Sequence, residues 1–231
     1  ILIPLALGGV ALSDRADPEP APRPVPLADV EMRVLDEHAY VPVDPGDGRI
    51  RWFLLDTGAS AHILDSDLAG ELGLEIEWTG TTGGAGAGRI PLGWAEGGSW
   101  QMGDLELPVD RVRTRPLDSV LGPTTGIRES GIVGGPLFQD HVVELDFEAG
   151  RVRVWPAGTT LPGEPVDLRL ENGVPYARGE VELAGETIPI DVVVDLGAKA
   201  TILFGPGFIA EHDPLAASVL VTPSERLAAD V

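Results

Sequence analysis

Hydrophobic and polar positions along this chain alternate over short spans, and few apolar stretches repeat at helical spacing. Val30-Glu31-Met32-Arg33-Val34-Leu35 alternates like a half-buried strand. Tyr40–Val43 and Ile50–Leu55 form the arms of a predicted hairpin around Asp44-Pro45-Gly46-Asp47-Gly48, a run of turn-forming residues. Ala61–Leu64 reads as a further strand, and Asp65–Gly73, with its acidic start and terminal glycine, as a short helix. Thr79–Gly88 is rich in glycine and is expected to be flexible. Leu105–Val112 predicts a strand, and a polar segment bearing proline and glycine follows to Ser130. His141–Phe147 and Arg151–Trp155 read as a hairpin around Glu148-Ala149-Gly150. Tyr176–Leu183 and Ile188–Val194 read as a second pair turning at Ala184-Gly185-Glu186, with a short helix over Phe208–His212. So many short strands and turns point to an all-β chain.

Two of these strands end alike. Phe53-Leu54-Leu55 runs into Asp56-Thr57-Gly58-Ala59-Ser60, and Val192-Val193-Val194 runs into Asp195-Leu196-Gly197-Ala198-Lys199. Over the twelve aligned positions from Phe53 to Leu64 and from Val192 to Leu203, six are identical, among them the Asp, the Gly and two Ala. A carboxylate on a tight turn at the mouth of a buried strand is partly desolvated and faces backbone donors. That setting tunes its pKa for acid–base work. Alone, Asp56 also reads as an ordinary cap on a strand exit. The repeat adds a chemical use: two carboxylates about 3 Å apart share one proton, because like charges that close cannot both ionise. One then serves as general base on a water while the other polarises a carbonyl.

The apolar-apolar-Asp-Thr-Gly-Ala run resembles the active-site signature of the retropepsin-like aspartic proteases. Gly131-Ile132-Val133-Gly134-Gly135, which begins 131 − 56 = 75 residues after Asp56, resembles that family's second signature. The resemblance is to the bacterial, exported, tandem-lobe kind. It implies an all-β, pepsin/retropepsin-like acid protease fold of two pseudo-symmetric lobes, each a small barrel, with a cleft between them. The second lobe, lacking a second flap and brace, is expected to be incomplete. By this resemblance Asp56 and Asp195 are the catalytic pair, and Thr57, Gly58, Ala59 and Gly197 support their turns. Ile132, Val133 and Gly134 brace the site from behind, and Thr79–Gly88 lies where the family carries a flap. A peptide or protein is the implied substrate, with no cofactor and no metal. Asp56 is expected to face Asp195 in a monomer, or a second Asp56 in a homodimer. Leu196 departs from the pattern, replacing a threonine whose hydroxyl bonds to the other lobe, and Pro136 stands where an acidic residue is common. Lys199 is also unusual, and its charge is expected to lower a neighbouring carboxylate's pKa.

Composition narrows the rest. The 231 residues carry 37 acidic and 16 basic side chains, a formal charge of −21, which argues against nucleic acid or an anionic membrane surface as partner. Cysteine is absent, so thiolate chemistry and disulfides are excluded, and His38, His62, His141 and His212 lack the spacing of a metal site. Residues 1–12 form an apolar run expected to be the remnant of an export signal or N-terminal anchor, with a buried strand as the alternative. A Pro-rich linker follows over 13–29, the first lobe over 30–155, a second linker over 156–173 and the second lobe over 174–231. An exported, periplasmic or extracellular setting follows from that order. Two other functions stay open. One is a catalytically inactive peptide-binding or scaffold module, favoured by Leu196. The other is a serine hydrolase using Ser60 or Ser130, for which no Gly-x-Ser-x-Gly is present.

Overall fold

The computed structural model describes residues 25–83, 89–118, 126–199 and 202–214. The chain is all-β, with three short helices among the described residues. The apolar run 1–12, most of the linker after it and residues 215–231 lie outside the described residues. No described helix is long and apolar enough to cross a membrane.

The strand expected over Val30–Leu35 is two strands in two sheets. β1 (Ala28–Glu31) pairs antiparallel with the strand Arg151–Trp155, while β2 (Arg33–Leu35) pairs with β3 (His38–Val43). The chain changes partner at Met32, which is buried and donates its N–H to the Gly150 carbonyl at 2.8 Å. Alternation holds only to that point, and Val34 is 50% exposed. β3 turns into β4 (Arg51–Leu55) where expected, because Asp44 Oδ1 accepts from the N–H groups of Gly46, Asp47 and Gly48 at 2.9, 3.1 and 3.0 Å. Phe53, Leu54 and Leu55 are all buried rather than alternating. The cause is that β4 has a strand on each side and both faces covered. Its second neighbour, β9 (Gly131–Val133), runs parallel to it with Leu54 opposite Ile132 and Leu55 opposite Val133. β9 is also antiparallel to β5 (Ile63–Asp65), the strand that leaves the Asp56 turn. Asp65 ends β5 and caps α1 (Ser66–Glu71), accepting from the N–H of Asp67 and of Leu68 at 3.1 and 3.0 Å.

β6 (Glu77–Gly83), β7 (Arg89–Met102) and β8 (Leu105–Arg115) complete an eight-stranded sheet ordered β2-β3-β4-β9-β5-β8-β7-β6. Half of the expected flexible stretch Thr79–Gly88 is therefore strand, paired with β7, and residues 84–88 lie outside the described residues. The sheet curls until Asp44 and Gln101 exchange backbone hydrogen bonds of 2.9 and 2.8 Å, which joins β3 to β7. A second sheet stacks β1, β11 (Arg151–Trp155) and β10 (Val142–Asp146). Its inward Val30, Val152 and Val154 meet Phe53, Trp100 and Met102 in the main core. Phe53 and Trp100 pack edge to face at 4.9 Å, and each such buried side chain stabilises by about 1.5–3 kcal/mol. α2 (Gly135–Asp140) follows β9 and places Pro136 in its first turn, where no backbone donor is needed. That explains the departure from an acidic residue there.

Past Trp155, β12 (Leu168–Glu171), β13 (Val174–Leu183) and β14 (Glu186–Val193) form one antiparallel sheet, and α3 (Pro206–His212) follows. β12 falls inside the stretch 156–173 expected as a linker, so the second unit begins at Leu168 rather than Val174. The prolines before it masked the alternation of Leu168 and Leu170 with Arg169 and Glu171, which β13 pairs in register. No residue of this unit is buried among the described residues.

Candidate active site

The first turn is held from behind by β9. The Asp56 N–H donates to the Val133 carbonyl at 3.1 Å, and the Gly135 N–H donates to the Ala59 carbonyl at 2.7 Å. Gly134 has no room for a Cβ against the carbonyls of Ala59 and Ala61. Its N–H donates to His62 Nδ1 at 3.1 Å, which places that ring's proton on Nε2. Burial pushes His62 down to about 4, against a smaller upward pull from Asp140, and keeps the ring neutral for this role. Ile132, Val133 and Gly134 thus lie directly behind the Asp56 turn, and His62, which has no local signature in the sequence, packs there with them.

The carboxylate of Asp56 accepts from the N–H of Gly58 and of Ala59 at 2.7 and 3.0 Å, both to Oδ1. The second turn comes to meet it. A Cβ on Gly58 would stand 2.7 Å from the Asp195 carboxyl, and one on Gly197 would stand 2.5 Å from that of Asp56. Each glycine is therefore the gap through which the opposite carboxylate approaches. Asp56 and Asp195 are close enough to share a hydrogen bond. Burial first, then the Asp195 charge and that shared bond, push Asp56 up to about 7, while the Gly58 and Ala59 donors pull the other way.

The two turns are locked asymmetrically. The Thr57 hydroxyl donates to the Val194 carbonyl at 2.6 Å and accepts from the Leu196 N–H at 3.0 Å. Leu196 has no hydroxyl to return either bond. Two other residues of the first unit take its place. His38, buried at the start of β3, lies with Nε2 at 3.1 Å from the Gly197 carbonyl, and Asp36, in the β2–β3 turn, binds the Lys199 ammonium. Lys199, expected to act on an active-site carboxylate, is taken instead by Asp36. Asp195 itself is exposed and accepts from one backbone donor, the Gly197 N–H at 2.8 Å. The sequence carried no signal for His38 or Asp36, because a lone His and a lone turn Asp have many bland readings.

Thr57→Val removes both bonds of the lock at an almost buried site, and should cost about 2 kcal/mol in a urea melt. Thr57→Ser should restore most of that. Equal melts for the Val and Ser variants would show that the hydroxyl holds nothing.

The serine reading finds no support here. Ser60 Oγ meets Arg113 Nη1 at 3.3 Å, Ser130 is buried beside Asp65, and neither hydroxyl touches a histidine among the described residues. Among those residues no group of three His, Cys, Asp or Glu side chains stands ready to hold a metal.

What fold and site define is an all-β protein with two Asp-Gly turns brought face to face. The chain is similar to a solved structure, the crystal structure of a retropepsin-like aspartic protease from Rickettsia conorii. The likeness runs at 19% identity over 55% of this chain and 96% of that one, with a TM-score of 0.40. No protein-family model and no curated protein matches the chain.

Proposed function

We propose that the protein is an aspartic endopeptidase, with Asp56 and Asp195 as an intramolecular catalytic pair. The observation that carries this is the mutual approach of the two carboxyls through the gaps at Gly58 and Gly197. Below the raised Asp56 pKa the pair holds one proton. The ionised member takes a proton from a water between them as that water's oxygen bonds to the peptide carbonyl carbon. The protonated member gives its proton to the carbonyl oxygen, producing a neutral tetrahedral diol. Collapse of the diol breaks the C–N bond as the pair gives its proton to the nitrogen and takes one from a diol hydroxyl, which restores the single shared proton. Thr57, Gly58, Ala59 and Gly197 set the turns, Ile132, Val133 and Gly134 hold the first from behind, and the β6–β7 hairpin serves as flap. The apolar run 1–12 and the Pro-rich stretch after it support an exported setting for this activity.

A peptide-binding module without catalysis is the second reading. It is favoured by Leu196 and by the thin support of Asp195. Incubation with a random decapeptide library between pH 4 and 8, read by mass spectrometry, separates the two. We expect internal cleavage that persists in EDTA, stops with a statine-type transition-state mimic and falls away above about pH 7, where the second carboxyl ionises. Binding of library peptides with no cleavage at any pH would select the module instead.

A further inference from the structure

On β8, Val112 and Thr114 point into the core, which turns Arg113 and Arg115 to the opposite side of the strand. That side faces the first catalytic turn. Arg113 reaches Ser60, which directly follows the turn, and Arg115 is near enough to Asp56 to feel its charge. In register, Arg113 lies beside Ile63 of β5 and Trp94 of β7, and the Trp94 ring sits 5.3 Å under its guanidinium. The two arginines thus stand between the turn and the β6–β7 hairpin, along the path a bound peptide takes under the proposed function.

The absence of a salt bridge separates them from the other half-buried arginines among the described residues. Arg51, Arg151 and Arg153 are also half-buried, and each sits on a carboxylate: Asp47 at 2.7 Å, Asp29 at 2.9 Å and Glu144 at 3.1 Å respectively. Exposed Arg111, two residues up the same face, is engaged by Glu77 at 2.8 Å. Among the described residues Arg113 and Arg115 make no salt bridge, and the Nε of each is buried without a hydrogen-bond partner. In a chain of 37 acidic residues against 16 basic ones, two neighbouring half-buried guanidiniums without a salt bridge are conspicuous. Buried donors are rarely left unmade, and a guanidinium fork is shaped to take a carboxylate by two parallel bonds.

We propose that Arg113 and Arg115 form an anion subsite that selects peptide substrates carrying a Glu or Asp side chain close to the scissile bond. This rests on the aspartic endopeptidase reading and adds its substrate class. At pH 6 the carboxylate of such a substrate is ionised, its ordinary pKa being about 4.3 or below, while the catalytic pair still keeps its proton.

The test uses decapeptide pools with Glu or Gln fixed at each position in turn and the other positions randomised. Cleavage by the wild-type chain at pH 6 is expected to favour Glu over Gln by about tenfold at one position near the cut. The ratio should collapse toward one in Arg113→Gln/Arg115→Gln and largely return in Arg113→Lys/Arg115→Lys, with melting curves checked for all three proteins. The same fluorescently labelled pools are titrated by anisotropy against Asp56→Asn, where tighter binding of the Glu pool is expected. Cleavage with no preference for Glu overturns this inference and leaves the protease reading standing. Glu-selective binding, lost with the two arginines, in a wild-type chain that cleaves nothing supports the subsite and overturns the protease reading. Equal losses on Glu and Gln pools in the Gln variant would make the arginines mere balance for Asp56, and overturn the inference as well.

Discussion

Asp56→Asn should reduce peptide cleavage by at least about a thousandfold, the scale set by losing a general acid–base group at a site built on one shared proton. The amide keeps the size of the side chain and an oxygen to accept from the Gly58 and Ala59 N–H groups, so the turn should survive. What it lacks is the capacity to share a proton with Asp195. Asp195→Asn should be equally inactive, and wild-type specific activity should not change with protein concentration, because both carboxyls belong to one chain. An Asp195→Asn enzyme that is fully active, with specific activity rising with concentration, would move the partner to a second chain.

The same substitution has a signature in stability. Folding raises Asp56 from an ordinary carboxylate to about 7. Its contribution is therefore fully present below about pH 4, where folded and unfolded forms are both protonated, and is lost as pH climbs through 7. Asp56→Asn cannot ionise and escapes this loss. Its melting temperature should exceed that of the wild type above pH 7, with the gap closing as pH falls toward 4. A constant gap over that window would mean that Asp56 does not titrate against its neighbour.

Gly197→Ala should cost more than a hundredfold in kcat with little change in melting temperature. The new methyl would stand 2.5 Å from the Asp56 carboxyl carbon, so the turns must part, and a displacement of about 1 Å in reacting groups costs roughly that factor. Gly58→Ala makes the mirror-image insertion, 2.7 Å from Asp195, and should behave alike. Gly207→Ala, in α3 with open space where its Cβ would stand, is the matched control and should be neutral. An active Gly197→Ala enzyme would show that the carboxyls do not work through this gap.

The fold and site were legible in the sequence where information is local. Phe53 to Ser60 carries an apolar lead-in, a turn and a repeated partner within a few residues, and Asp44-Pro45-Gly46 signals its own hairpin. β7 has no clear signal in the sequence because Pro91, Gly93, Gly97 and Gly98 interrupt its alternation. At Gly97 a glycine is needed, since the Val109 carbonyl occupies the space of a Cβ. The division at Met32 was hidden because alternation cannot tell which sheet a strand joins. His38, Asp36 and His62 had no local signature at all. The row Arg111, Arg113, Arg115 was available as a period-2 pattern of charge against buried Val112 and Thr114, and its meaning depends on Ser60 and Trp94, which only the fold brings near.

The Asp195 turn is held mainly by residues that are synthesised far ahead of it. Thr57, His38 and Asp36 reach it across 137, 159 and 163 positions of the chain. Contacts of such separation close late, after the local hairpins and the first unit's core have formed. A growing chain therefore carries one complete carboxylate turn for most of its synthesis and has nothing to pair with it. On the reading proposed here, hydrolytic capability arrives only when about five-sixths of the given sequence exists and has docked, so that a half-made chain is spared its own chemistry.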